Sequence, residues 1–464
     1  MAAQVMTTET YTASLGPMLL LTMVLLAIYL GSPVIQSGDG RLVLYEANSV
    51  LTEQNLDLHE YGPIVQGFPC YREGERILSR YPYGTSLMTV PLLAVVRGVG
   101  ALAGHDPAAR LRDETPRALE KGLASVLAAL AVLTLMLMAR EMLGRTAPAL
   151  LLGGIFALGT ALWSTASRGL WQHGPLVMLL ALGLLFLSRG LRLTDQRRWP
   201  ALAGAALAAG YVVRPTAAIP LGLAGVGLLV TRRTALLPFL TGAALVLVPS
   251  VTYNLWVYGQ MAIPFYSSNG GFLSGGVRAS FPEGLAGTMV SPARGLLIFS
   301  PFLALAAAGA WMRRRQLGIL ELVAIGSPLA IWVLASNTRD WAGGWSYGPR
   351  LLADALPFLA LLMLPVMDAV TRPRSGWSAA TTTLAATLAL TVAWSVFVQA
   401  RGALSWSTQI WNVRPVGAGV ESHPERFWDW SDPQFLRGGR TTLKDIYPHS
   451  TPGNVPPDQV CLQA

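Results

Sequence analysis

Several residues that can carry chemistry recur at the ends of apolar runs, and the first is an aspartate between two glycines. Asp39 stands in Gln36-Ser37-Gly38-Asp39-Gly40-Arg41, directly after the first long apolar run. A carboxylate there is open to a substrate and close to hydrocarbon, which makes it a candidate general base. Ser-Gly-Asp-Gly is also good turn chemistry, with Asp bonding its own backbone, so a turn is the competing reading. Tyr45 and Glu46 follow in the same stretch, and Arg80 and Tyr81 stand in Ser79-Arg80-Tyr81-Pro82-Tyr83-Gly84. All four are candidates to touch substrate, although Tyr and Arg also serve as anchors at headgroup depth.

A histidine and four arginines extend the set. His173, in Trp171-Gln172-His173-Gly174-Pro175, is a donor or acceptor able to position a substrate. The stretch Ser336 to Arg350 holds Arg339, Asp340, Trp341, Trp345, Tyr347 and Arg350 around Gly343-Gly344 and Gly348, with Asp354 just beyond. Guanidinium forks suit phosphate oxygens, and a Gly-rich bend lets backbone approach a ligand. Trp345 and Tyr347 offer faces and a hydroxyl for a sugar. Arg339–Asp340 or Arg350–Asp354 is expected to be an internal salt bridge. Arg214, in Val213-Arg214-Pro215-Thr216, and Arg294, in Ser291-Pro292-Ala293-Arg294-Gly295, sit at the ends of apolar runs, where an ionisable group is costly and suggests function. Snorkelling to the interface is the alternative for both.

The elements that must position these residues are membrane helices. Of 464 residues, 52% are hydrophobic and 13% charged, against about a quarter charged in a soluble domain. The expected class is all-α: a polytopic bundle of about 11 transmembrane helices, near 15–35, 118–139, 147–163, 171–188, 199–213, 215–230, 236–256, 294–311, 317–335, 350–367 and 377–398. The first of these reads as a retained anchor and not a cleaved signal. The net charge of +9 is nearly all arginine, in short clusters between apolar runs. Membrane topology explains those clusters better than nucleic acid, which is excluded as a partner. Placing Arg140/Arg145, Arg189/Arg192/Arg197/Arg198, Arg232/Arg233, Arg313/Arg314/Arg315 and Arg372/Arg374 in the cytoplasm leaves 36–117, 257–293, 336–349 and the tail 399–464 outside. The chain then divides into a transmembrane domain, 1–398, and an extracytoplasmic tail, 399–464, in a plasma membrane. The apolar stretch 83–102, broken by Pro91 and Arg97, is expected to lie at the interface. Cys70 and Cys461 both fall outside, so one long-range disulfide is open to them.

A carboxylate, a histidine, arginines and aromatics on one face of a helical bundle suit the passage of a sugar from a lipid phosphate to an acceptor outside the cytoplasm. Six pieces carry a resemblance: Gly38-Asp39-Gly40 with Tyr45, Tyr81-Pro82-Tyr83-Gly84, Arg214-Pro215-Thr216, Asn254 to Gly259, Ser291 to Pro301, and Trp345 to Leu351. In that order they resemble the bacterial polyprenyl-phosphate-sugar glycosyltransferases of the GT-C superfamily, which include the protein mannosyltransferases and the lipid A aminoarabinose transferase. The resemblance implies inverting transfer of a hexosyl or pentosyl group with Asp39 as base. The implied partners are a polyprenyl-phosphate-linked sugar and membrane lipids, with Arg214, Arg294, Arg339 or Arg350 on the phosphate. Many members have two adjacent acidic residues in the first loop and an acidic residue where this chain has His173. Both differences argue against a family-style divalent metal, and no other cofactor is expected.

Three other classes fit the same pattern. A transporter or flippase of a polar or lipid-linked substrate would use charges in mid-span, and Arg214 is the residue that suits it. A surface-glycan ligase or polymerase would differ in its donor, a pyrophosphate-linked oligosaccharide. A non-catalytic assembly subunit would not need Asp39 or His173.

Overall fold

The protein was studied as a computed structural model that describes residues 15–36, 38–65, 70–104, 111, 116–266, 281–338, 340–373, 375, 377–413, 419–420, 422–439 and 462–463. It is a helical bundle with a small sheet that includes two strands from the loop between the first and later long helices. The longer helices are α1 (Leu15–Gly31), α2 (Val43–Thr52), α3 (Gly84–Leu102), α4 (Arg117–Leu143), α5 (Thr146–Gly159), α6 (His173–Arg192) and α7 (Arg198–Val213). They continue as α8 (Ala218–Thr231), α9 (Arg233–Tyr258), α10 (Phe281–Val290), α11 (Leu305–Arg313), α12 (Ile319–Ser336), α13 (Leu356–Val370) and α14 (Ala379–Leu404). Among the described residues, seven helical segments are long and apolar enough to cross a membrane, and three shorter apolar ones accompany them. The polytopic bundle is therefore as expected. Segment 84–102, assigned to the interface from charge, has by length and composition what a crossing helix needs.

One expected span is broken. Over 294–311 the chain forms a short turn at Leu296–Phe299, a 3-10 turn at Pro301–Ala304, and only then α11. Pro301 has no N–H to continue the ladder, and Ser300 lies at φ −144°, ψ 63°. The freed groups are satisfied by neighbours, as irregular backbone at membrane depth requires. The buried Gln399 carboxamide donates to the Phe299 carbonyl (3.4 Å), and the Ser300 hydroxyl donates to the Gly159 carbonyl at the end of α5 (2.6 Å). Helix α5 stops opposite this break, and residues Leu162–Ala166 continue as a π-helical turn. The irregular segment that leaves it carries Arg168, Trp171 and Gln172.

The unit that follows α1 has its own apolar core, built from Leu42, Leu44, Tyr45, Tyr61, Ile77 and Leu93 among others. Strands β1 (Cys70–Glu73) and β2 (Arg76–Ser79) pair antiparallel, and β3 (Leu462–Gln463) adds parallel to β1. Cys70 is disulfide-bonded. Cys461, the other cysteine of the pairing considered from sequence, lies outside the described residues. The tail boundary expected at 398 falls inside α14, which continues to Leu404. Beyond it, Trp411 and Phe427 bury themselves against Ala293 and Trp341, which ties the tail to the loop after α12.

Candidate active site

The loop carrying Asp39 is fastened from below. Arg168, fully buried, donates to the carbonyls of Tyr29 and Ser32 (2.9 Å to the latter), so its guanidinium closes the carboxyl end of α1. Gln36 then bonds back, its N–H to the Arg168 carbonyl (2.9 Å) and its side chain to the Ser164 carbonyl (2.8 Å). The glycines beside Asp39 exist for close approach: a Cβ on Gly40 would meet the Leu170 carbonyl oxygen at 2.5 Å, and one on Gly38 would overlap the Trp171 ring. A turn is present, as the competing reading had it. Arg41 and Val43 N–H groups close turns onto Gly38 and Gly40, and the turn presents the carboxylate.

That carboxylate is held at two points and left about one-third exposed, at 35%. Tyr81 Oη donates to Oδ1 at 3.0 Å, and Arg350 Nη1 donates to Oδ2 at 2.8 Å. Burial first, then the Asp39 charge, keeps the Tyr81 hydroxyl protonated by raising its pKa well above the usual value. The Arg350 guanidinium lies 4.4 Å over the Trp171 ring, a cation–π contact. Arg80 sits 4.9 Å over the Phe265 ring, whose edge meets Tyr81.

A second charged centre adjoins this one and is sealed. Asp354 is completely buried. Its Oδ1 is 2.8 Å from His173 Nδ1, and its Oδ2 accepts from Thr216 Oγ1 at 2.8 Å and pairs with Arg214 Nε at 2.9 Å. Arg214 Nη1 lies 3.3 Å from His173 Nε2. An arginine only donates, so Nε2 accepts and the proton belongs on Nδ1, facing Asp354. Arg350 and Asp354 occupy one 3-10 helix, Arg350–Ala355, and Trp171 and His173 are two residues apart, so the same two elements build both centres. The N-terminal end of α3 closes the group: a Cβ on Gly84 would meet the Val212 carbonyl at 2.5 Å. A narrow cleft between Tyr83, Tyr211, Pro215, Asn254, Ile263 and Tyr266 opens beside Arg214. Tyr266 Oη donates to Gln172 Oε1 at 3.3 Å. A roomier hollow of about 490 Å³ near Glu53, Asp57, His59, Glu60 and Glu73 shares no residue with this patch.

The structure therefore brings together Asp39, Tyr81, Arg80, Arg350, His173 and Arg214, and sets the other expected residues elsewhere. Tyr45 is buried edge-on to Tyr61, 4.9 Å between ring centres, inside the apolar core of the unit that follows α1. Glu46 is buried on α2 and accepts from the Ser86 hydroxyl. Desolvation there pushes its pKa up to about 8. Tyr347 is fully buried: its hydroxyl donates to the Val398 carbonyl at 2.6 Å and its ring fills the space a side chain at Gly402 would need. Arg294 is spent inside the protein on the carbonyls of Ala342 (2.7 Å) and Gly344 (3.0 Å) and on Gln434 (2.6 Å) and Asn412 (2.9 Å), joining loop to tail. Trp345 is 56% exposed on the loop after α12. Arg339 lies outside the described residues. The salt bridge considered between Arg350 and Asp354 is replaced by two others, Arg350 with Asp39 and Arg214 with Asp354. Asp354, Thr216, Trp171, Gln172, Tyr266 and Arg168 were not among the expected site residues. A carboxylate in an apolar run signals a buried partner, and that signal was available for Asp354. Among the described residues, no group of three or more His, Cys, Asp or Glu side chains is placed to hold a metal ion, so the donor set for a divalent metal is not assembled.

Among solved structures, the archaeal oligosaccharyltransferase AglB from Archaeoglobus fulgidus, in complex with an inhibitory peptide and a dolichol-phosphate, matches at 13% identity and a TM-score of 0.51, over 94% of this chain and 62% of that one. The Archaeoglobus fulgidus oligosaccharyltransferase tethered with an acceptor peptide containing the NVT sequon matches at 12% identity and TM-score 0.50, over 92% and 60%. ArnT from Cupriavidus metallidurans bound to undecaprenyl phosphate gives 15% identity and TM-score 0.48, over 86% and 76%. The chain spans about three fifths of the length of the archaeal enzyme. At such identities the likeness is one of fold. The helical fold that the sequence resemblance implies is the fold observed, and the archaeal oligosaccharyltransferase shares it. No protein-family model matches the chain, and no curated protein matches it.

Proposed function

We propose that this protein is a plasma-membrane glycosyltransferase that moves a sugar from a polyprenyl-phosphate donor to an acceptor hydroxyl on the outer face. The observation that carries the reading is the pairing of Asp39, one-third exposed, with Tyr81 and Arg350, next to a second buried cation, Arg214. A carboxylate has about four lone-pair sites. Tyr81 and Arg350 use one on each oxygen, and the remaining ones face an incoming hydroxyl. The fold shared with AglB, solved with a dolichol-phosphate, supports a lipid-phosphate donor for this chain too.

The acceptor oxygen bonds to C1 of the sugar as the C1–O bond to phosphate breaks. The electron pair leaves with the lipid phosphate, and the hydroxyl proton passes to Asp39 and then to solvent. Attack opposite the departing phosphate inverts the anomeric centre. Arg350 and Arg214 meet the charge that develops on the phosphate oxygens. Arg80 lines the approach of the sugar, and His173, buried with both ring nitrogens engaged, stands behind Arg214.

The test is a reconstituted assay with the polyprenyl-phosphate-sugar fraction of the host membrane. Free polyprenyl phosphate is expected to appear in step with a glycosylated product. Movement of intact lipid-linked sugar across vesicles, with no cleavage, would show the flippase reading to be the right one.

A further inference from the structure

We infer that Asp354 is a positioning residue that sets the Arg214 guanidinium for the lipid phosphate, acting directly on one edge and through His173 on another. The inference rests on the transferase reading above. Asp354 is fully buried and accepts from His173 and Thr216 while pairing with Arg214 Nε at 2.9 Å. Burying an ionised carboxylate is expensive unless charge and hydrogen bonds compensate it, and here the Arg214 charge does so together with hydrogen bonds involving His173 and Thr216. The extra partners are what fixes orientation. Arg214 Nε lies 2.9 Å from the Asp354 carboxylate as an ion pair, out of line for a hydrogen bond, and Nη1 lies 3.3 Å from the His173 ring. Among the described residues no hydrogen bond occupies Nη2, which leaves one terminal nitrogen for an anionic oxygen.

His173 is the coupling piece. With Nδ1–H donated to Asp354, Nε2 has its lone pair free for Arg214, so the ring transmits the carboxylate's orientation to the guanidinium as a neutral tautomer. His173 then touches no reacting atom in this role. Two residues before it in the chain, Trp171 is the ring on which Arg350 rests, at 4.4 Å. One 3-10 helix carries both Arg350 and Asp354, so the two cations aimed at the phosphate are held by a common rigid element.

The experiment measures binding of undecaprenyl phosphate to the purified full-length protein in detergent, with undecaprenol as the same chain lacking phosphate. Asp354→Asn keeps shape and removes the charge. It is expected to weaken undecaprenyl phosphate by about tenfold, the scale of one charge-assisted contact, and to leave undecaprenol unchanged. Thr216→Val, which removes one donor to Asp354 and keeps the charge, is expected to weaken the phosphate by about threefold and serves if the first variant does not fold. A merely structural role would lower the folded fraction and both ligands together. If wild type prefers the phosphate while the folded variants bind it as tightly as wild type, the positioning role is overturned. If wild type shows no preference for the phosphate, the transferase reading falls first and takes this inference with it.

Discussion

Two aspartate–arginine pairs stand side by side in this molecule and differ in one respect, access to water. Asp39–Arg350 is open, its carboxylate 35% exposed, and each oxygen of that carboxylate has one partner. Asp354–Arg214 is closed, its carboxylate fully buried with three partners. A base has to be reachable and must keep lone pairs free, whereas a scaffold must do neither. The same two residue types therefore serve opposite ends according to how much of the carboxylate is already spoken for.

Replacing each aspartate by leucine should break the comparison most plainly. Asp354→Leu strands the buried Arg214 and is expected to cost ~3–5 kcal/mol of stability, whereas Asp39→Leu should cost ~1 kcal/mol or less. Thermal unfolding in detergent measures both, and equal losses would erase the distinction. Gly40→Ala comes next. Its Cβ would run into the Leu170 carbonyl, an overpacking cost of ~1–3 kcal/mol, and should displace Asp39 enough to reduce transfer with the fold retained, as circular dichroism would show.

Tyr81→Phe removes one donor from the Asp39 carboxylate. A fall in kcat of about tenfold, with thermal stability near wild type, is the expected size for a lost hydrogen bond to a charged group. The smallest effect concerns Glu46, whose pKa burial raises to about 8. The folded protein holds that proton more tightly than the unfolded chain, so the stability Glu46 contributes is full below its ordinary range and is lost as pH rises toward 8. Glu46→Gln should flatten the stability profile over that window, measured as unfolding midpoint against pH.

Much of the open pair was legible in the sequence. An aspartate between glycines at the end of an apolar run, and arginines at the ends of others, announce themselves by cost alone. Partnership was not legible: Asp39 meets Arg350 across 311 positions and Arg214 meets Asp354 instead of a neighbour. Local spacing favoured Arg350–Asp354, four residues apart, and tertiary packing overrode it. Burial was hidden too. Tyr347 and Arg294 sit in loop-like, glycine-rich stretches, yet Gly402 and the tail residues Asn412 and Gln434 close over them. The helical class followed from composition. The break at Ser300–Pro301 was foreshadowed only by a proline whose consequences depend on the carbonyls that surround it.

The most direct test of the central claim is mass spectrometry of surface glycans and glycolipids from a deletion strain, complemented with wild type or with Asp39→Asn. The account predicts that deletion removes one sugar from a surface product, that wild type restores it, and that Asp39→Asn, expressed at the same level, does not. Restoration by Asp39→Asn would contradict it.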